Sequence, residues 1–306
     1  MQHLNQEPGS GDQTVSVIIV NYNAGPLLAS CVASALSQST EIIIVDNASA
    51  DMSTYAVASA WPHIKIIKND SNLGFATACN IGAKAASSSN FLFLNPDCVL
   101  AADAVQKMLE AADSAENVGM VGGLLIDPDG TEQGGGRRAV PTPWRSLVRA
   151  TGLSRFADRW PRLFFDFHLH KQPLPAAPIE VEAISGACML VPRHAMDKVG
   201  SWDEAYFLHC EDLDLCMRLR RMDWKILFVP HAKVVHEKGA CSHHRPIFVE
   251  WHKHKGMMRF YRKFFRHQYP GVLMGLVSVG VWLRFGLVVM YYSSKHIGRK
   301  LGVARD

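Results

Sequence analysis

Four stretches decide the fold: VSVIIVNYN (residues 15–23), IIIVDNAS (42–49), NLGFATACN (72–80) and FLFLNPDCV (91–99). The run from Val15 to Val20 is aliphatic at five of six positions and dominated by Val and Ile, as in a strand buried on both faces. Pro26 then opens a helix through LLASCVASALSQ, at the position where a missing N–H costs least. Ile42–Val45 reads as the second strand, Asp51–Ala60 as a helix, His63–Ile67 as the third strand, Phe75–Ala86 as a helix and Phe91–Leu94 as the fourth strand. Short strands alternating with helices predict an α/β fold with a mostly parallel sheet covered by helices on both sides.

In open sheets of that kind ligands bind beyond the carboxyl ends of the strands. The polar residues gather there: Asn21, Tyr22 and Asn23 after the first strand, Asp46 and Asn47 after the second, Asn95 to Asp97 after the fourth. Each has an ordinary alternative as a turn or capping residue. A dinucleotide-binding fingerprint is excluded, because NYNAGPLL and not Gly-x-Gly-x-x-Gly follows the first strand. No P-loop is present either, and Gly134–Gly136 with Arg137 and Arg138 reads as a flexible surface loop.

The carboxyl-terminal half carries a small-residue turn at Ser185–Ala187, a strand through Met189–Val191 and a helix starting near Asp212. Leu213, Cys216, Met217 and Leu219 give that helix an apolar face, and Glu211 and Asp212 open it in FLHCEDLDLCMRLRR (207–221). A helix amino terminus favours carboxylates, so an acidic first turn is the plain alternative to a catalytic pair. His236 follows a strand-like stretch in VPHAKVVHEKGA (229–240). The histidines at 243–244 and in WHKHK (251–255) offer no four-ligand zinc pattern.

With 306 residues, 48% of them apolar, the chain suits one large domain with appendages or two modest ones. A net charge of +4 is too small to imply nucleic-acid binding by itself, and no nucleic acid is expected as a partner; basic residues crowd between His254 and His267, just before an apolar run at 271–292. That crowding suggests an anionic membrane surface. The run is 22 residues long, enough to cross a bilayer, yet Arg284 interrupts it; a spanning helix, an interfacial helix and a buried soluble helix all stay open. Seven cysteines without a Cys-x-x-Cys pair fit a reducing cytoplasm. Residues 1–13 read as a disordered lead without signal-peptide character.

The ordered set of these motifs, over roughly residues 14–240, resembles the inverting family 2 glycosyltransferases of the GT-A fold. The resemblance implies a nucleotide-sugar half (14–125), an acceptor and catalytic half (126–245) and a membrane-associated tail (246–306). It places Tyr22, Asn23, Asp46, Asn72, Gly74, Asn80 and Asn95 at the nucleotide sugar, and Asp97 and His236 on a divalent metal, Mg²⁺ or Mn²⁺. It makes Asp212 the base that takes the acceptor's proton, with Glu211 orienting the acceptor or the helix end. The family's Asp-x-Asp stands here as Asn95-Pro96-Asp97, a variant associated with rhamnosyltransferase-like members; it removes one negative charge from the metal's surroundings. The expected reaction is inverting transfer from a nucleotide sugar, dTDP-rhamnose first with UDP and GDP sugars open, to a lipid-linked or surface-polysaccharide glycan at the cytoplasmic face of the inner membrane. A sugar-phosphate nucleotidylyltransferase would need a glycine-rich loop after the first strand, and a non-catalytic membrane scaffold would have no use for Asp97, Asp212 and His236 together.

Overall fold

The computed structural model describes residues 13–157, 159–165, 167–237, 239 and 245–300, the side chains of Ala150 and of 296–300 excepted. Residues 1–12 of the expected lead and the histidines at 243–244 lie outside the described residues. In chain order the elements are β1 (Val15–Asn21), α1 (Leu27–Ala35), β2 (Glu41–Asp46), α2 (Ser53–Ala60), β3 (Lys65–Lys68), α3 (Phe75–Ala85) and β4 (Asn90–Leu94). There follow β5 (Cys98–Leu100), α4 (Ala104–Ala112), β6 (Val118–Ile126), β7 (Arg137–Arg138), α5 (Pro143–Ala150), α6 (Pro161–Phe164), β8 (Ile179–Glu180) and β9 (Ala183–Ile184). The chain continues through β10 (Cys188–Pro192), α7 (Arg193–Val199), α8 (Glu211–Arg221), β11 (Lys225–His236), α9 (Pro246–Phe265) and α10 (Gly271–Lys300).

The main sheet runs β3-β2-β1-β4-β10-β6-β11-β5, with β8 paired to β11. Its amino-terminal half, β3-β2-β1-β4, is wholly parallel, as the strand and helix alternation implies. Beyond β4 the sheet is mixed, since β10 is antiparallel to β4 and β6, and β11 is parallel to β6 but antiparallel to β5. Alternate residues of β1 enter two cores: Val15, Val17 and Ile19 pack with α1 and α4, while Ile18 and Val20 join α3, α8 and α9 on the other face. One core therefore draws on both halves of the chain, which pack as a single body.

Two differences from the sequence reading concern charge. The segment after the triple glycine is not a surface loop: Arg137 and Arg138 form β7 and pair with β9. Arg137 is buried, holds Glu132 through Nε at 2.7 Å and Nη2 at 3.0 Å, and lies over the Phe228 ring. The second concerns α9, expected at the start of the membrane tail. Its Phe260, Tyr261, Phe264 and Phe265 belong to the core, and two of its basic residues are spoken for within the fold. Arg259 and Lys263 bind Asp203, and Lys263 also reaches the fully buried Asp214 at 2.6 Å. Burial works to raise the Asp203 carboxyl's pKa, but hydrogen bonds from Lys263 and Arg259 outweigh it and hold it at about 2.

Helix α10 carries 25 residues, Gly271–Lys295, long and apolar enough to cross a membrane. Its two faces differ. Met274, Val277 and Val281 pack against the core, whereas Val272, Leu276, Val279, Leu283, Leu287 and Met290 are exposed. Arg284 turns toward α9, with Nη1 3.4 Å from Nε2 of the buried His254. The Nδ1–H of His254 donates to the Glu250 carbonyl at 2.6 Å, which leaves Nε2 as the acceptor for Arg284. Burial first, and then Arg284, keeps the pKa of this imidazole below its ordinary value and the ring neutral. An arginine in an apolar helix thus has a protein partner.

Candidate active site

At the carboxyl ends of β1 and β2 the polar groups bind one another. Asp46 is buried; its Oδ1 accepts from Asn21 Nδ2 at 2.7 Å and from Ser49 Oγ at 2.6 Å. Asn23, at φ +54°, accepts the Ala50 N–H on Oδ1 at 2.7 Å, tying the β1 turn to the loop after β2, with Tyr22 half-buried between them. Asn72 accepts the Gly74 N–H on Oδ1 at 3.0 Å. Gly74 has φ +87°, and a Cβ there would lie 2.6 Å from the Phe207 carbonyl oxygen, so both backbone conformation and close approach demand glycine. Asn80 is a latch between halves: Nδ2 donates to Trp202 O at 3.0 Å and Glu204 Oε1 at 2.8 Å, and Oδ1 accepts from Trp202 N at 2.9 Å. Both of its amide hydrogens are engaged, which departs from the expectation that Asn80 faces the nucleotide.

The turn after β4 is built otherwise. Asp97 and His236 are buried, with His236 Nε2 3.3 Å from Asp97 Oδ1. His236 Nδ1 lies 2.6 Å from Gln133 Oε1, and Gln133 Nε2 donates to Asp127 Oδ1 at 2.6 Å and to the His236 carbonyl at 3.2 Å. A carboxylate only accepts, so Asp127 orients the Gln133 amide; its oxygen then receives the Nδ1–H, and in the neutral ring the Nε2 lone pair of His236 faces Asp97. Asp97 Oδ1 has no hydrogen-bond donor of its own. Two acceptors face each other across a buried gap, an arrangement that a cation satisfies. A carboxylate oxygen with an imidazole nitrogen fits Mg²⁺ or Mn²⁺. Cys98 is close enough to complete a three-ligand group, but its thiol donates to Ala187 O at 3.4 Å, and burial and the Asp97 charge push its pKa well up. Asn95 is half-buried, and among the described residues its side-chain amide makes no hydrogen bond.

Asp212 reaches the same place from the other half. Its Oδ2 receives Arg138 Nη2 in a short ion pair and the Gly186 N–H at 3.2 Å, while the Leu213 N–H meets Oδ1 at 2.7 Å. The next residue, Ala187, accepts from Asn95 N at 2.9 Å. Gly186 and Ala187 therefore join the Asp212 carboxylate to the turn that carries Asp97. Immediately before α8, His209 and Cys210 are both left-handed, at φ +68° and +72°, a costly conformation for residues other than glycine. Helix α9 braces this turn at Gly256, where a Cβ would come within 2.6 Å of the His209 carbonyl.

Glu211 is enclosed beside Asp212. It is 6% exposed, with Oε2 unpartnered, and burial together with the Asp212 charge raises its pKa to about 8. Its position opening α8 suits the reading in which Glu211 orients the helix end. Sequence reading missed Gln133, Asp127 and Arg138. The ion pair between Arg138 and Asp212 links residues 74 apart, and no local pattern announces it.

A family model for glycosyl transferase family 2 matches residues 16–199. The chain belongs to that family. The N-acetylglucosaminyl-diphospho-decaprenol L-rhamnosyltransferase of Mycobacterium tuberculosis is 30% identical over 258 residues, 76% of this chain and 82% of the relative. The low-salt glycan biosynthesis hexosyltransferase Agl10 of Haloferax volcanii is 24% identical over 68% of this chain and 62% of its own length. Among solved structures, the mannosyltransferase PcManGT of Pyrobaculum calidifontis, in complex with GDP-Man and Mn²⁺, aligns with a TM-score of 0.54 at 16% identity. That alignment covers 88% of this chain and 69% of the other. GalNAc-T7 with UDP, GalNAc and Mn²⁺ aligns with a TM-score of 0.55 at 18% identity over 74% of this chain, which spans 44% of that enzyme. The fold is GT-A, and the chain is a rhamnosyltransferase-like family 2 glycosyltransferase.

Proposed function

We propose that this enzyme transfers a deoxyhexose, rhamnose first, from a nucleoside diphosphate donor to a glycan on a polyprenyl diphosphate, with inversion at the anomeric carbon. The observation that carries the reading is the convergence of the Asp97–His236 pair and the Asp212 carboxylate on the two-residue segment Gly186–Ala187. The M. tuberculosis relative, named for an N-acetylglucosaminyl-diphospho-decaprenol acceptor and an L-rhamnosyl group, supports the substrate class.

In this mechanism the acceptor hydroxyl approaches Asp212 Oδ1, whose only donor among the described residues is the Leu213 N–H. Asp212 takes the hydroxyl proton as the oxygen bonds to the anomeric carbon, and the bond to the nucleoside diphosphate breaks on the opposite face with its electron pair leaving on the phosphate. Arg138 and the Gly186 N–H hold Oδ2, so the carboxylate keeps one orientation. Asp97 and His236 would hold the divalent cation, which when bound neutralises charge on the departing diphosphate. Tyr22, Asn23, Asp46, Asn72, Gly74 and Asn95 form the donor side of the crevice, Asn23, Asp46, Asn72 and Gly74 chiefly by fixing its backbone.

The acceptor lipid lies in a membrane, and the exposed apolar face of α10 rests there, with the protein at the cytoplasmic face of the inner membrane. The test is transfer from a panel of labelled nucleotide sugars to membranes bearing an N-acetylglucosaminyl diphospholipid, with the product's anomeric configuration read by NMR. Rhamnose transfer with inverted configuration is expected. Retained configuration, or the absence of transfer from every donor with a full complement of Mn²⁺, overturns the proposal.

A further inference from the structure

Two of the basic residues expected to draw α9 to a bilayer, Arg259 and Lys263, are held by Asp203 and Asp214, and Lys255, Arg262 and Arg266 stay exposed. Another segment adds charge. Residues 141–171 contain six Arg and Lys against two Asp, a net charge of +4 that equals that of the whole chain. Among the described residues no carboxylate pairs with Arg155, Arg159 or Arg162; Arg155 lies over the Phe156 ring and Arg159 over the Trp160 ring.

The same segment exposes apolar bulk. Trp144, Leu147, Phe156, Trp160 and Leu163 are each between 38% and 54% exposed, in a stretch where burial would be expected for most of them. Phe156, Trp160 and Phe164 form one ring cluster, and the indole N–H of Trp144 donates to the Leu163 carbonyl at 2.7 Å, so α5 and α6 are fastened into one surface. Aromatic bodies beside guanidinium groups that no described carboxylate pairs suit the interface of a bilayer, where rings lodge among headgroups and cations meet phosphate.

Position makes this surface continuous with α10. Helix α5 touches α10, and a cleft of about 460 Å³ lies between Trp144, Arg145, Arg162 and Leu163 on one side and Tyr269, two residues before α10, on the other. The segment also begins shortly after Arg138, the partner of Asp212, on the acceptor side of the site. We propose that residues 144–163 form a second bilayer contact, with Arg155, Arg159 and Arg162 on anionic headgroups and Trp160 and Leu163 in the interface. It rests on the membrane reading of α10 for its orientation and adds an element that favours anionic lipid.

The test uses the full chain and vesicles of phosphatidylcholine, alone or with about a third phosphatidylglycerol. Replacing Arg155, Arg159 and Arg162 together by Gln should weaken binding to anionic vesicles on the order of 100-fold while leaving the weaker binding to neutral vesicles as it was. Leu276→Ser with Leu283→Ser in α10 should weaken binding to both. Hydrogen exchange on the unaltered protein gives a measurement free of folding artefacts: anionic vesicles should protect amides in 144–163 as well as in α10. Protection of α10 alone, or binding by the triple variant equal to wild type, overturns the second contact and leaves α10 standing. Protection of neither segment removes the membrane reading itself. Protection of 144–163 that appears with rising protein concentration and no lipid marks an interface between copies and also overturns the proposal.

Discussion

The donor edge and the catalytic centre use the same residue types to opposite ends. At the ends of β1 and β2, and in the segment leading into α3, the side chains of Asn23, Asp46, Asn72 and Asn80 spend their polar atoms on neighbouring protein groups. At the centre, Asp97 Oδ1 is buried without a donor and faces His236 Nε2, and Glu211 Oε2 at the nearby helix end has no donor either; on the other edge Asn21 Oδ1 is the exception. A matched polar group stabilises the fold. An unmatched buried one costs free energy, and where two acceptors meet, as at Asp97 and the neutral His236 ring, a cation would recover it.

The largest effect should come from Asp212. Asp212→Asn keeps the shape and the contact with the Gly186 N–H but removes the proton acceptor, and transfer should fall by about 10²–10⁴-fold with nucleotide affinity nearly unchanged. Steady-state rates together with donor calorimetry check it; turnover within a few-fold of wild type would mean that another group is the base.

A smaller loss should follow from breaking the support behind His236. Gln133→Ala removes the acceptor for Nδ1–H and frees the imidazole to adopt the other tautomer. Mn²⁺ affinity, read by electron paramagnetic resonance in the absence of any donor, should drop about 10–100-fold. Asp97→Ala should abolish the bound signal. Equal Mn²⁺ binding in wild type and Gln133→Ala would show that the Asp127–Gln133–His236 chain is a structural tie like those of the donor edge.

Glu211 tests the unmatched side through pH. Its folded-state pKa of about 8 lies above the ordinary carboxylate value, so the folded protein keeps a proton that the unfolded chain releases. Stability from this group is therefore greatest at low pH and declines as pH rises from about 4.5 to about 8. Glu211→Gln removes that decline, and its melting temperature should exceed wild type by a margin that widens across the window. Parallel melting curves at all pH values would place the Glu211 carboxyl in water or against a cation.

Sequence periodicity made the parallel half of the sheet legible, because strands buried on both faces read as unbroken aliphatic runs and the intervening helices begin and end on recognisable residues. Asp97, Asp212 and His236 stood out because the resemblance fixes their order, and the fold brings Asp97 and His236 within 3.3 Å. What stayed hidden depends on pairing across distance: a two-residue strand such as β7 has no period, so Arg137 and Arg138 looked like part of a loop. Arg259 and Lys263 in the basic cluster before α10 looked free because Asp203 and Asp214, their partners, lie some 50 residues away in the chain. Periodicity names faces, whereas charge pairing needs the fold.

The smallest effect, and the sharpest division between the two readings of the donor edge, belongs to Asn80. The resemblance puts it beside the nucleotide; the geometry spends both amide hydrogens and the amide oxygen on Trp202 and Glu204. Asn80→Ala then removes hydrogen bonds that are partly open to water, each worth ~1 kcal/mol net, and leaves the Trp202 backbone groups to find solvent. A chain of this size should lose only a few degrees in melting temperature, roughly 2–4 °C per kcal/mol. Nucleotide affinity should hold, because no atom of the donor edge loses its partner. If calorimetry instead shows affinity falling about tenfold with the melting temperature unchanged, Asn80 leaves its latch to meet the donor, and matched polar groups at this edge would have to be counted as ligand contacts in waiting.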